Sequence, residues 1–265
     1  MAKYKSLFEV RGDVGDAGFR RVNGQLILGR TSSLDKERIR TDPAFKRTRE
    51  NQKEFGAAAK AGKSLRMGLA RVMKRFGDSR VTSRITKVFR EMLKGGPGLR
   101  GQRTIEVMNQ KSKLVGLNLH ASDTFSSVCS LPINLTVNVD RNTVTMNIPV
   151  FSADDYVIAP GGATHFKIVL AIAAVSDWEY YPAEQKYLPV SPDINGLGAV
   201  GSTAEIGVLD TTPSVINLMA SLPNSPLLGL TEGLVALVGI EFFQEINGQL
   251  YIFNEANAMH VEMVF

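Results

Sequence analysis

Near residue 119 the apolar pattern of the chain changes period, and that change limits the folds open to it. Upstream, Leu65, Leu69, Val72, Met73 and Phe76 recur at helical spacing, as do Val81, Ile85, Val88, Phe89 and Met92. Each set forms one stripe of a helix whose opposite face is basic. Downstream, residues 131–140 and 143–151 alternate apolar and polar side chains, while residues 165–178 are almost continuously apolar. Alternation marks a strand wetted on one face, and the continuous run marks a strand covered on both. The expected class is α+β: an N-terminal β-hairpin and basic helical domain over residues 1–115, then an acidic antiparallel β-sandwich over residues 116–265.

Turn chemistry divides the segments further. Asn23-Gly24 separates residues 19–22 from 25–28, and Asn247-Gly248 separates residues 234–246 from 249–253. Asn-Gly accepts the positive φ values of a type I′ turn, so both read as hairpins. Asp140-Arg141-Asn142 joins the two alternating strands in the same way. Residues 6–10 read as a strand entering the glycine-rich RGDVGDAG, where the Arg11-Gly12-Asp13 triplet is a spelling coincidence in a turn. Asp42 before Pro43 opens a helix over residues 43–56. Further helices cover residues 57–76 and residues 79 or 80 to 93, the last stopped by the GGPG of residues 95–98. Residues 99–119 read as a basic connector with at most one strand, residues 181–202 as a long loop, and residues 260–265 as a closing strand.

Charge follows the same division. Residues 1–115 hold 28 Lys and Arg against 11 Asp and Glu, a net +17; residues 116–265 hold 3 against 15, a net −12. Such a split points to a polyanion, to an acidic surface, or to a neighbouring copy joined head to tail. Hydrophobic content of 44% and charged content of 22% are those of a globular chain. No apolar run is long enough to cross a bilayer as a helix, and the start meets charge at once, without a signal-like stretch. With the lone Cys129 this favours a reducing compartment, so the expectation is a cytoplasmic protein without a membrane partner, released, if at all, within an assembled particle. The sequon at Asn134 then carries no meaning.

The stretch EFGAAAKAGKSLR, residues 54–66, ends like a phosphate-binding loop. That loop needs a glycine five residues before the one preceding its lysine; Ala57 stands there, and Gly56 is one position early. Alanine-rich sequence continues a helix instead. Lys60, Lys63, Arg66, Lys74, Arg75, Arg80, Arg84, Lys87 and Arg90 could line a face that meets phosphates, but no zinc-finger spacing or aromatic RNA-binding sheet accompanies them. His120, His165 and His260 are scattered, Cys129 sits in an apolar setting, and Asp154-Asp155 is an acidic pair in a loop. Trp178, Tyr180 and Tyr181 cluster at a strand end, suited to capping a core or anchoring an interface. No catalytic constellation, cofactor, metal site or small-molecule substrate is implied.

Residues 47–66, RTRENQKEFGAAAKAGKSLR, resemble a family of bacterial proteins without an assigned activity, in which a glycine-rich hairpin precedes this segment. RVTSRITK at residues 80–87, RGQR at 100–103 and the ending at 239–264 are similar to the same family. The resemblance implies kinship and no mechanism. The expected function is a structural protein that self-assembles into a filament, tube or shell through charge-complementary head-to-tail contacts. The alternative is a nucleic-acid-binding, capsid-like protein that uses the basic helical lobe. Candidate contacts with copies of itself or with a polyanion are Arg47, Arg49, Glu50, Lys60, Lys63, Arg66, Arg80, Arg84 and Arg103. Asn51, Glu54 and Phe55 are expected to organise the same lobe.

Overall fold

The computed structural model describes residues 2–3, 10–22, 24–30, 36–211 and 214–265, with side chains for all of these but residues 2, 3 and 214. The strand expected from residue 6 falls outside the described residues except for Val10, which is not in a strand. Helices and several antiparallel sheets make up an α+β protein, with 26% helix and 37% strand. By compactness the chain divides into residues 1–49 and 50–265.

In the first unit, β1 (Ala2–Lys3), β2 (Gly12–Val14), β3 (Ala17–Val22) and β4 (Gln25–Arg30) form a sheet in the order β1-β4-β3-β2. Val22 faces Gln25 across the anticipated Asn-Gly turn, and Gly24 has φ +78°. Then comes α1 (Lys36–Thr41), a helix that begins earlier than sequence pattern indicated. Asp42 does cap, but what it caps is a single 3-10 turn, Pro43–Phe45, where its carboxylate accepts the Ala44 N–H at 2.9 Å.

The division falls within α2 (Lys46–Gly68), which runs through Gly56 without a break. Two helices were expected there. Gly56 costs a helix only about 1 kcal/mol, less than the packing of Ala57, Ala58, Ala61 and Leu65 in the core supplies. The interruption comes at Leu69, before α3 (Ala70–Phe76). After α4 (Val81–Gly95), residues 96–124 form turns and a 3-10 turn, Lys111–Lys113, in place of a strand, with two isolated bridges, Ile105 to Trp178 and Asn118 to His260. The chain continues through α5 (Phe125–Val128), β5 (Asn134–Val137), β6 (Thr143–Phe151), α6 (Ala153–Tyr156), β7 (His165–Ser176), β8 (Trp178–Tyr181) and β9 (Lys186–Pro189). It ends with β10 (Gly198–Ser202), β11 (Ile206–Gly207), β12 (Ser214–Ser221), β13 (Glu232–Ile246), β14 (Gln249–Ile252) and β15 (Ala258–Val264).

A central sheet in the order β10-β7-β13-β14, with β11 and β15 paired alongside, is built on the twelve-residue register between β7 and β13. Its period-two alternation sorts side chains between two cores. Val169, Ala171, Ala173, Val175, Val235 and Leu237 join the helices α2–α4 in the first core. Ile168, Leu170, Ile172, Ala174, Ala236 and Val238 join β6 and β12 of the second sheet, ordered β12-β6-β5, in the other. The helices therefore share a core with the strands, and the charge boundary near residue 115 runs through the interior of one compact unit. The predicted long loop over residues 181–202 contains strands β9 and β10, whose short segments lack clear alternation.

Helix α2 ends where the backbone of the sheet is bare. Gly68, Ala173 and Gly198 meet there, and a Cβ built on Gly198 would lie 2.0 Å from the Gly68 carbonyl oxygen. At the other end of the sheet the β13–β14 hairpin closes through Asn247 (φ 52°) and Gly248 (φ 79°). All four residues of β14 are exposed, leaving Leu250, Tyr251 and Ile252 uncovered on both faces.

Candidate interaction surface

Of the residues singled out from sequence, several are used inside the protein. Arg49, in the first unit, donates from Nη1 to the carbonyls of Ile39 and Asp42, both at 2.8 Å, and so ties α1 to the turn after it. Arg47, in the same unit, is exposed. In the second unit Arg103 grips Glu54 with a fork: Nε donates to Oε1 at 2.8 Å and Nη2 to Oε2 at 2.6 Å. The same guanidinium donates to the Lys94 carbonyl at 3.0 Å, and Glu54 also accepts the Gly101 N–H at 2.7 Å. One pair thus joins α2, the end of α4 and the turn that follows. Glu50 lies 3.7 Å from Arg100, which donates to Asn51 at 2.8 Å.

Arg84 is similarly committed. It meets Asp78 at 2.7 Å and donates to the Leu119 carbonyl at 2.6 Å. The Arg84 hydrogen bond, helped by the N–H groups of Arg80 and Ala121, holds the Asp78 carboxyl down at about 2. Arg80 itself is exposed, and its N–H caps against Asp78 at 2.8 Å. Arg66 turns back to the Gly62 carbonyl at 3.3 Å. Lys60, Lys63, Lys74, Lys87 and Arg90 remain on the surface, and none forms an ion pair among the described residues.

Between α2 and α4 these helices leave a groove of about 530 Å3. Phe55 and Ala59 form one wall; Thr82, Ser83, Thr86, Lys87, Arg90 and Glu91 form the other. The α4 residues recur every three or four positions, one stripe of a helix. Phe55 is 54% exposed, a large aromatic ring left open at the groove. Glu91, the single acid on its rim, is engaged by Lys94 at 2.8 Å. A second depression of about 420 Å3 adjoins it through Lys87 and Glu91 and adds Lys113. The surface is apolar on its α2 wall and cationic along its α4 edge. No spacing rule would have found it, although Phe55, unpaired with the Ala57–Ala61–Leu65 stripe, was its one visible sign.

The remaining chemical candidates are dispersed. His120 lies 2.8 Å from Asp123, His165 bonds Thr164 at 2.9 Å, and His260 stacks on Phe125 with ring centres 4.6 Å apart and lies 2.8 Å from Glu262. Burial pushes the Cys129 thiol up to about 11. Trp178 and Tyr187 enter the first core, and Tyr180 meets Tyr187 edge to face while accepting a hydrogen bond from Lys53 at 3.1 Å. Asp154 and Asp155 are exposed on α6. Among the described residues no group of three or more His, Cys, Asp or Glu is placed to hold a metal ion, and no helix is long and apolar enough to cross a membrane.

Sequence reasoning passed over several buried or half-buried charges. Glu241 is fully buried on β13, 3.2 Å from Arg75 of α3 and 3.4 Å from Lys167 of β7. A lone charge inside the apolar run 234–243 was the available signal. Arg141, at φ 54°, donates to the Gly229 carbonyl at 2.6 Å and to that of Glu232 at 2.9 Å, fastening the β5–β6 turn. Burial pushes the Asp177 carboxyl up to about 6 although it accepts the Val107 N–H at 2.6 Å, because Glu106, Glu232 and Glu179 add like charge.

An acid whose pKa is raised by folding disfavours the fold once ionised, so this cost grows between pH 3.8 and about 6 and stays constant above. Asp177→Asn keeps an oxygen for Val107 and loses the charge. It is expected to gain about 1–2 kcal/mol at a pH of about 7.5, discounted for partial exposure, and close to nothing at a pH of about 4. Thermal melts at the two pH values check this; an equal gain at both would mean that charge is not the cause.

Comparison of the chain with protein-family models, with curated proteins and with solved structures finds no match.

Proposed function

We propose that the protein is a structural subunit, without catalytic activity, that assembles with copies of itself through heterologous contacts between its cationic helices and its acidic strand-rich half. The observation that carries this reading is the placement of unpaired charge within one compact unit. Lys60, Lys63, Lys87 and Arg90 are exposed on the helices that cover one face of the central sheet. Asp140, Asp154 and Asp155 are exposed in segments belonging to the layer on its other face. Unlike charges on opposite faces of one compact unit attract those of a neighbouring copy head to tail, and such contacts close into rings or run on as helices. In this reading the two packed sheets act as a β-sandwich core, and the bacterial family suggested by residues 47–66 shares the role, in the cytoplasm.

Two further observations support it. Among the described residues of the first unit no apolar side chain is fully buried, so its sheet has little core of its own and gains from being covered. The β13–β14 hairpin presents Ile246, Leu250, Tyr251 and Ile252 to solvent at a sheet edge, the kind of edge that pairs with another chain. The unpaired cations also fit the phosphates of a nucleic acid, which is the second reading.

Sedimentation and negative-stain microscopy across a salt series test the proposal. Ordered particles are expected at about 0.1 M salt and their dissociation near 1 M, as the Debye length falls from about 10 Å to about 3 Å. Particles with the absorbance ratio of pure protein support self-assembly alone. Particles that form only with nucleic acid favour the second reading, and a monomer at low salt and high concentration rules out the first.

A further inference from the structure

We infer that the groove between α2 and α4 receives the α6 segment of a second copy, and that this is the repeating contact of the assembly. The inference rests on the self-assembly reading and names its site. What the groove offers is an apolar wall of Phe55 and Ala59 and, on the wall facing it, two exposed cations without an ion-pair partner among the described residues, Lys87 and Arg90. Its volume of about 530 Å3 is within the range of about 300–1,000 Å3 typical of binding clefts. The complementary object has to carry negative charge beside exposed apolar side chains.

Acidic and exposed apolar side chains adjoin at several described places, Val139-Asp140 and Glu245-Ile246 among them, but one of these places carries a doubled charge. Asp154-Asp155 is the only pair of adjacent acidic residues in the sequence, and both are exposed on the single turn of α6. Two residues beyond that turn, Ile158 is 70% exposed. The Ala153 N–H, at the start of the same turn, donates to the Asp210 carbonyl at 3.3 Å, which brings alongside the loop bearing Leu209, 81% exposed. Ala153 and Val157 anchor α6 in the second core, so the acidic knob is held on a fixed support.

Groove and knob belong to opposite layers of the central sheet. A copy that places its knob in one neighbour's groove leaves its own groove free for the next. The contact is therefore heterologous and propagates. Ile158 and Leu209 would bury against Phe55 and Ala59, while Asp154 and Asp155 would face Lys87 and Arg90. Burial supplies the affinity and the charges set the orientation.

Charge exchange tests this directly, because all four charged side chains are exposed and their reversal should leave the fold intact, which melting curves verify. The double variant K87E/R90E and the double variant D154K/D155K are each expected to raise the concentration for half assembly by at least about 10-fold. Mixing the two variants should restore assembly, since each then meets an opposite charge at both contacts. The quadruple variant should assemble alone. If wild-type protein assembles and the charge-reversed variants do so equally well, the groove contact is wrong while self-assembly stands. Loss in both doubles without recovery in the mixture also overturns it, as the two sites would then not be partners. A wild type that stays monomeric removes both readings.

Discussion

Glu54→Ala is expected to destabilise the protein by about 3–5 kcal/mol, lowering the melting temperature by about 10 °C. Burial alone pushes the Glu54 carboxyl up, yet the Arg103 fork and the Gly101 N–H together hold it below its ordinary 4.5. Removing the carboxylate leaves a largely enclosed guanidinium and a buried N–H without their acceptor, and an orphaned charge costs more than the pair contributed. It also frees the turn at Gly101, whose φ of +86° is set against Glu50. The sign with pH follows from the lowered value: the contribution is present above the unfolded pKa and is lost as the pH falls through the folded one. Wild type and variant should therefore converge in acid. Glu54→Gln, which keeps the shape and one acceptor, should fall between them. Chemical denaturation at neutral and acidic pH measures all three. A wild-type-like Glu54→Ala at neutral pH would show that this pair does not hold the helices to the turn.

The second large effect is expected of Gly198→Ala. The added methyl would sit 2.0 Å from the Gly68 carbonyl oxygen and 2.5 Å from its carbon. Those atoms are backbone and cannot rotate away, so the end of α2 must lift from β10 and open the first core between helix and sheet. Overpacking costs typically about 1–3 kcal/mol and more where backbone must separate; about 3 kcal/mol is the expected loss. Gly56→Ala supplies the control, since a methyl there meets nothing within 4 Å. In a helix interior that change should stabilise by about 0.5–1 kcal/mol. Opposite shifts in the two melts would place the cost in the close approach; similar shifts would place it elsewhere.

Local signals in this chain read true where one short segment controlled the outcome. The two Asn-Gly hairpins formed in register, the apolar stripe of residues 81–92 became α4, and the doubly covered run at 165–178 became β7 and the start of β8. Errors came where a weak local preference met a strong distant contact. Gly56 suggested a break that core packing overrode, and α2 instead ends where Gly68 reaches Gly198. The strands between residues 186 and 202 lack a clear pattern because they are held by register with β7 and β8.

The charged residues show the same division. Composition along the chain already made one half cationic and the other anionic, since that depends only on which residues are present. It could not say which cations are consumed internally. Arg103 finds Glu54 from 49 residues away, and Arg75 finds Glu241 from 166. Lys87 and Arg90 form no close ion pair among the described residues and stay at the groove, Arg90 beside Glu91. Neutralisation of a charge is a matter of distance in space, and for pairs so far apart in sequence that distance exists only after the helices have packed on the sheet.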